Sequence, residues 1–104
     1  MAFIRLSLMT PRPGQEQRVA DLIDQLLDFY QGRPGFITAY RLTPDKHSGS
    51  PRVGRISVWE SEGETHRTAT EPRDMALQSE LKLAVIDETH EEYSFQGTLA
   101  PRKS

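Results

Sequence analysis

The chain has 104 residues, 36% hydrophobic and 27% charged, with 13 Lys and Arg against 15 Asp and Glu and no Cys. One domain is the ceiling at that length, and the charge balance leaves no excess of cations to displace counterions from nucleic acid. No apolar run nears the roughly 18 residues a membrane span needs, and the first residues lack the basic and apolar regions of a signal peptide. The expectation is a cytoplasmic protein with neither nucleic acid nor membrane as partner. Without Cys there are no disulfides, thiolate nucleophiles, iron–sulfur clusters or thiolate zinc sites.

Leu, Ile, Val and Phe supply 23 of the 104 residues, just above the roughly 20% below which disorder sets in. A domain of this size buries only about two-thirds of its unfolded surface. So thin a core would gain from a partner chain.

Ala2 to Met9 alternates, with Ile4, Leu6 and Leu8 on one side and Phe3, Arg5, Ser7 and Met9 on the other, which predicts a strand. Pro11 and Pro13 break the ladder because neither can donate a backbone hydrogen bond. Val19, Leu22, Ile23, Leu26, Leu27 and Tyr30 then recur on one helical face, predicting an amphipathic helix from about Gln15 to Gln31. Gly32 suits a left-handed residue past its end, and Pro34 stops it resuming.

Alternation returns from Phe36 to Thr43 and again from Val53 to Glu60, where Ile56 and Val58 oppose Val53, Arg55, Ser57 and Trp59. Pro44 to Arg52 between them reads as a long hairpin loop. Ser61 and Glu64 have capping-box spacing and start a helix. Pro72 interrupts it and opens a second piece with Leu77, Leu81, Ala84 and Val85 on one stripe. Glu92 to Leu99 is the last strand. One domain over residues 1–99 and a fraying polar tail over 100–104 are expected.

The order strand, helix, strand, strand, helix, strand predicts an α+β, ferredoxin-like split βαβ fold: a four-stranded antiparallel sheet with its helices on one face. Two helices cannot cover both faces. The bare face still carries apolar residues, so a second sheet should pack on it, and a homodimer supplies one most simply.

Pro13-Gly14 before the first helix, Pro34-Gly35-Phe36 before the second strand and Val58-Trp59-Glu60-Ser61 before the capped helix form an ordered set. On these points, from Phe3 to about Gly97, the chain resembles the antibiotic biosynthesis monooxygenase family, whose members are dimeric α/β-barrels. The resemblance implies a cavity between sheet and helices. There some members oxidise polycyclic aromatic phenols with molecular oxygen and no metal or flavin, and others degrade haem. In the cofactor-free chemistry a proton leaves an electron-rich phenol and the substrate carbanion passes an electron to oxygen, which calls for a water-poor pocket with a few polar groups.

Trp59 occupies the family's third-strand tryptophan position, where its N–H can orient a substrate oxygen and its ring can stack on an aromatic ligand; plain core packing is the competing role. Arg55 shares that strand face where phenol-oxidising relatives place an Asn, and its guanidinium suits an anionic ligand or a structural salt bridge. His66 follows on the next helix as a base suited to neutral pH. The family's His position aligns with Thr68, and Glu62 at i−4 makes His66 equally suited to a surface ion pair. Tyr40, Tyr93 and Ser7 are candidate substrate-binding hydroxyls. Haem degradation is disfavoured, because Ser7 stands where those enzymes carry an Asn and Ala69 where they ligate iron through His.

His47 and His90 form no close-spaced ligand pair with His66, so no metal is expected. The acidic run Asp87-Glu88-Thr89-His90-Glu91-Glu92 reads as a solvated turn. No nucleophile elbow, phosphate loop or dinucleotide fingerprint is present. The functional expectation is a small, cofactor-free, oxygenase-like enzyme for an aromatic or quinone-type molecule, with Trp59, Arg55, His66 and Tyr40 around the pocket. Its alternative is a non-catalytic module that binds a small ligand or only dimerises.

Overall fold

The computed structural model describes residues 1–101, so residues 102–104 of the expected tail lie outside the described residues. The elements are β1 (Ala2–Met9), α1 (Glu16–Tyr30), β2 (Phe36–Leu42), β3 (Val53–Trp59), α2 (Glu62–Ala69), α3 (Pro72–Ala84), a 3₁₀ turn (Asp87–Thr89) and β4 (Glu91–Gly97). The sheet runs β2-β3-β1-β4 with every neighbour antiparallel. This is the expected ferredoxin-like α+β arrangement. Among the described residues no helix is long and apolar enough to cross a membrane.

The α1 stripe of Val19, Leu22, Ile23, Leu26 and Tyr30 is buried, and it closes with Leu77, Leu81 and Ala84 of α3 over Phe3, Met9 and Trp59 of the sheet. Ser61 caps α2 by accepting from the Glu64 amide at 3.3 Å. The reciprocal half of the capping box is not made, since the Glu64 carboxylate accepts from Arg67 at 2.8 Å. Pro72 stands at the start of α3, where its missing N–H would have no partner anyway. Gly32 does not adopt the expected left-handed conformation. Gln31 ends α1 with right-handed geometry, its N–H donating to the Asp28 carbonyl, and the positive φ, 79°, falls at Gly35. A Cβ on Gly35 would also lie 2.6 Å from the Glu64 side chain, so α2 sits against the entry to β2 only because that residue is glycine.

Phe3, Arg5, Ser7 and Met9 of β1 and Val53, Arg55, Ser57 and Trp59 of β3 pair across the sheet and face the helices. Ile4, Leu6 and Leu8 pair with Val58, Ile56 and Gly54 on the other face. Among the described residues nothing covers that face, which leaves Phe95 about half exposed and Tyr40 more so.

One irregularity in β2 decides which residues reach the interior. Phe36 pairs with Trp59, yet Thr38 pairs with Val58, so two residues of β2 span one step of β3. Such a shift inverts the facing of every residue after it. Without it Tyr40 would pair with Arg55 and point at the helices. With it Tyr40 pairs with Ile56 and points outward.

Candidate functional site

A small chamber of about 40 Å³ lies between the centre of the sheet and the helices. Its floor is Arg5 and Ser7 of β1 with Arg55, Ser57 and Trp59 of β3. Its walls are Tyr30 of α1, Thr65, Thr68 and Ala69 of α2, and Asp74 and Gln78 of α3. A cavity needs only about 10–15 Å³ to hold a water, so the chamber admits a ligand's polar atoms but not a ring system. Beside it an open cleft of about 510 Å³ runs along α3 to Asp87, His90 and Glu92, sharing Arg5, Ala69, Asp74 and Gln78 with the chamber. Sites for small ligands commonly fall between about 300 and 1,000 Å³, so the cleft has room for an aromatic body.

The chamber is charged. Arg55 is only 5% exposed and Asp74 2%, and among the described residues no ion pair joins them. Arg55 Nη1 is buried without a hydrogen-bond partner among the described residues, an arrangement that costs about 1–3 kcal/mol when left unmet. Burial raises the Asp74 carboxyl above its usual pKa, against the pull of the Arg55 charge, the polar ends of Gln78 and Tyr30, and the more distant Arg5. Burial likewise raises the Tyr30 phenol, with Arg55 opposing and Asp74 reinforcing the shift. An anionic or acceptor oxygen placed here would meet a preorganised cation and a carboxyl that holds its proton more readily than usual.

At the mouth, Glu92 accepts from Arg5 Nη2 and from Ser7 Oγ, both at 3.0 Å, with His90 Nε2 at 3.5 Å. Burial alone would raise Glu92, but Arg5, the Ser7 hydroxyl, Arg55 and His90 outweigh it and hold its pKa below the usual value. This cluster ties β4 to β1 beside the chamber.

Of the six residues singled out from sequence, Ser7, Arg55 and Trp59 line the chamber. Trp59 is 1% exposed, edge-on to Tyr30 at 5.2 Å and to Phe36 at 5.3 Å. Its indole N–H donates to Ser57 Oγ at 3.0 Å, so the N–H expected to orient a ligand is occupied. His66 is not on the chamber wall. It stands on the exposed side of α2, its Nε2 3.6 Å from Glu62, which is the i−4 ion pair its spacing allowed. Tyr40 and Tyr93 lie on the open face, Tyr40 through the β2 register shift and Tyr93 because it pairs with Leu6, an outward residue; its hydroxyl donates to Glu91. Ser7 already donates to Glu92.

Sequence reading passed over Asp74 and Tyr30. Asp74 carried a signal: it precedes Leu77, Leu81 and Ala84 by the steps that define their buried stripe, so a carboxylate stands where helical periodicity asks for an apolar residue. Tyr30 was visible only as the last member of the α1 stripe. Thr68, aligned with the family's His, does reach the chamber, but its hydroxyl donates to the Glu64 carbonyl at 3.0 Å. Among the described residues no cluster of His, Asp and Glu could hold a metal ion.

No protein-family model matches the chain, and no curated protein does. Among solved structures, the chain is similar to SnoaB, a cofactor-independent oxygenase from Streptomyces nogalater, with a TM-score of 0.81, 16% identity and 98% of each chain covered. It is similar to a conserved protein of Methanosarcina mazei, with a TM-score of 0.81, 13% identity and 94% of each chain covered. It is also similar to a protein of Nitrosomonas europaea described as a candidate antibiotic biosynthesis monooxygenase, with a TM-score of 0.81, 6% identity and coverage of 92% of this chain and 89% of that one. Its fold is therefore that of the antibiotic biosynthesis monooxygenases.

Proposed function

We propose that the chain is an oxygenase-like enzyme for a small electron-rich phenol or quinone-type molecule, whose ring lies in the outer cleft and whose oxygen meets Arg55 in the chamber. The observation that carries the reading is the unpartnered, buried Nη1 of Arg55. A phenolate oxygen satisfies that donor and receives the charge complement that favours the ionised substrate. Trp59 and Tyr30 keep water from the reacting oxygen. The ionised substrate then supplies the electron to oxygen, so the protein's part is to bind, orient and ionise. A cofactor-independent oxygenase of the same fold supports this reading.

The proposed assembly is a homodimer built on the open face of the sheet, where Ile37, Tyr40, Tyr93 and Phe95 are exposed beside half-buried Ile4, Leu6, Ile56 and Val58. Burying them would supply the apolar area that a thin core lacks. The alternative, a non-catalytic ligand-binding module, draws on the small size of the enclosed chamber, about 40 Å³.

Oxygen uptake with a panel of dihydroxynaphthalenes separates the two. Wild type should accelerate uptake, and Arg55→Met, close in length but uncharged, should lower kcat/KM by about 100-fold or more. Saturable binding with no uptake would favour the module, and an active protein indifferent to Arg55→Met would overturn the role of the guanidinium.

A further inference from the structure

We propose that Asp74 takes the proton from the ligand's hydroxyl, its carboxylate acting from the helix side of the chamber on the same oxygen that Arg55 holds from the sheet side. This deepens the proposed function and rests on it.

The geometry is that of a gap between two opposite charges. Arg55 and Asp74 are both at least nine-tenths buried and both line one small cavity, yet among the described residues no ion pair closes between them and one guanidinium nitrogen stays without a partner. A structural ion pair in so dry a place gains its stability only by direct contact with good hydrogen bonds. Held apart, the two charges frame, beside the Tyr30 hydroxyl that interacts with both, a position that one ligand oxygen can fill, donating its proton to Asp74 and accepting from Arg55. Asp74 also lines the outer cleft, so a hydroxyl arriving on a ring seated there meets it on the way in.

The groups facing Asp74 are consistent with a proton acceptor. Arg55 from β3 and Arg5 from β1 favour its ionised form, as do Gln78 on its own helix and Tyr30 from α1, while burial opposes them and leaves the carboxyl more basic than usual. Asp87 and Glu92 are the further acids on the cleft wall, and Glu92 of β4, which shares the mouth of the chamber, is held by Arg5 and Ser7 and is less basic than usual. Asp74 is thus a better acceptor than Glu92, and of the three acids it alone also lines the chamber. In the step itself the O–H bond of the phenol breaks, its electron pair stays on the phenol oxygen, and a new O–H bond forms on the Asp74 carboxylate. Nothing is oxidised or reduced.

The test uses 4-nitrophenol, whose ionised form is coloured, at pH values below the probe's own pKa. Titration calorimetry in buffers of different ionisation enthalpy counts protons released on binding, and absorbance reports whether the bound probe is ionised. For wild type the bound probe should be coloured, and proton release should fall from one towards zero as pH rises through the Asp74 ionisation. Asp74→Asn should either bind the probe uncoloured or release one proton at every pH, and should lose about 100-fold or more in oxygen uptake with an un-ionised dihydroxynaphthalene. Coloured binding by wild type with one proton released throughout would overturn the proposal while sparing Arg55 and the enzyme reading. So would Asp74→Asn behaving as wild type. Absence of any binding by wild type would overturn both. Should Asp74→Asn fail to fold, the wild-type proton count alone decides.

Discussion

Replacing Trp59 tests whether its conspicuous position reflects packing or chemistry. The ring is 1% exposed and wedged edge-on between Tyr30 and Phe36. A buried Trp removes about 150–250 Å² from water, which at about 25 cal/mol per Å² is roughly 4–6 kcal/mol. Trp59→Ala should therefore cost about 4–5 kcal/mol, in line with large-to-small core changes. That is between about a third and nearly all of the roughly 5–15 kcal/mol available to a domain of this size. Loss of activity in Trp59→Ala would consequently say nothing about catalysis. Trp59→Phe keeps the ring contacts but loses the bond to Ser57, about 1 kcal/mol, and part of the apolar area, for a total of about 2–3 kcal/mol. Trp59 is the single Trp of the chain, so urea unfolding should be followed by far-UV circular dichroism. With a slope of about 1–3 kcal/mol per M, the Trp59→Phe midpoint should fall by about 1–2 M. Oxygen uptake should stay within about tenfold of wild type, because a packing residue does not touch the reacting atoms. A folded Trp59→Phe that loses as much activity as Arg55→Met would refute this reasoning and return the indole N–H to the role of substrate donor.

Other outcomes follow from single contacts. A Cβ on Gly54 would lie 1.9 Å from the Ser7 carbonyl oxygen across the β1–β3 ladder; Gly54→Ala should cost about 3 kcal/mol or more, lowering Tm by more than about 10 °C. Ile56→Glu, in the middle of the bare sheet face, should convert a sedimenting dimer to a monomer with unchanged far-UV circular dichroism, and a wild type already monomeric at micromolar concentration would refute the assembly. The His66 side chain is not among those lining the chamber, so His66→Ala should leave oxygen uptake unchanged. Glu92 has a folded pKa below its unfolded one, so it stabilises the fold above the unfolded value, and that contribution disappears as pH falls through the folded value. The stability gap between wild type and Glu92→Gln, measured by urea unfolding across pH, should therefore be present at neutral pH and shrink in acid; a gap that widens in acid would contradict it.

The elements were legible because each carries a strong local period: the boundaries of β1 coincide with Ala2 and Met9, and the α1 stripe is the buried one. The candidate site was legible only where local alternation agreed with the sheet. Arg55 and Ser7 share the inward face with Trp59 and Phe3, and their own strands say so. Tyr40 was lost to the β2 register shift, which depends on how two strands meet and leaves no mark in either one alone. Tyr93 was misplaced for a different reason. Its alternation with Glu92 is correct, but which of the two faces the helices cover is settled by tertiary packing. Asp74 shows the converse: a local rule is broken at a buried stripe position, and such a breach is where a functional group is to be sought.

The economy of the core and the chemistry of the chamber are linked. Five of the eight inward positions on the two central strands are Arg5, Ser7, Val53, Arg55 and Ser57, and only one of those five is apolar. Apolar side chains there would thicken the core of a chain already short of them, yet two arginines and two serines stand under the helices instead. Arg5 and Ser7 are matched by Glu92, and Ser57 by the Trp59 indole. Of these four polar residues, Arg55 is the one with a buried donor unmet among the described residues. A fold that needed only to cohere would gain from a Leu at that position, since a well-packed apolar residue is commonly as stabilising as a buried charge or more so. Arg55→Leu should therefore leave the chain at least as stable as wild type in urea once Asp74→Asn removes the facing charge. A double variant that is instead severely destabilised would mean that Arg55 and Asp74 serve the fold rather than a ligand.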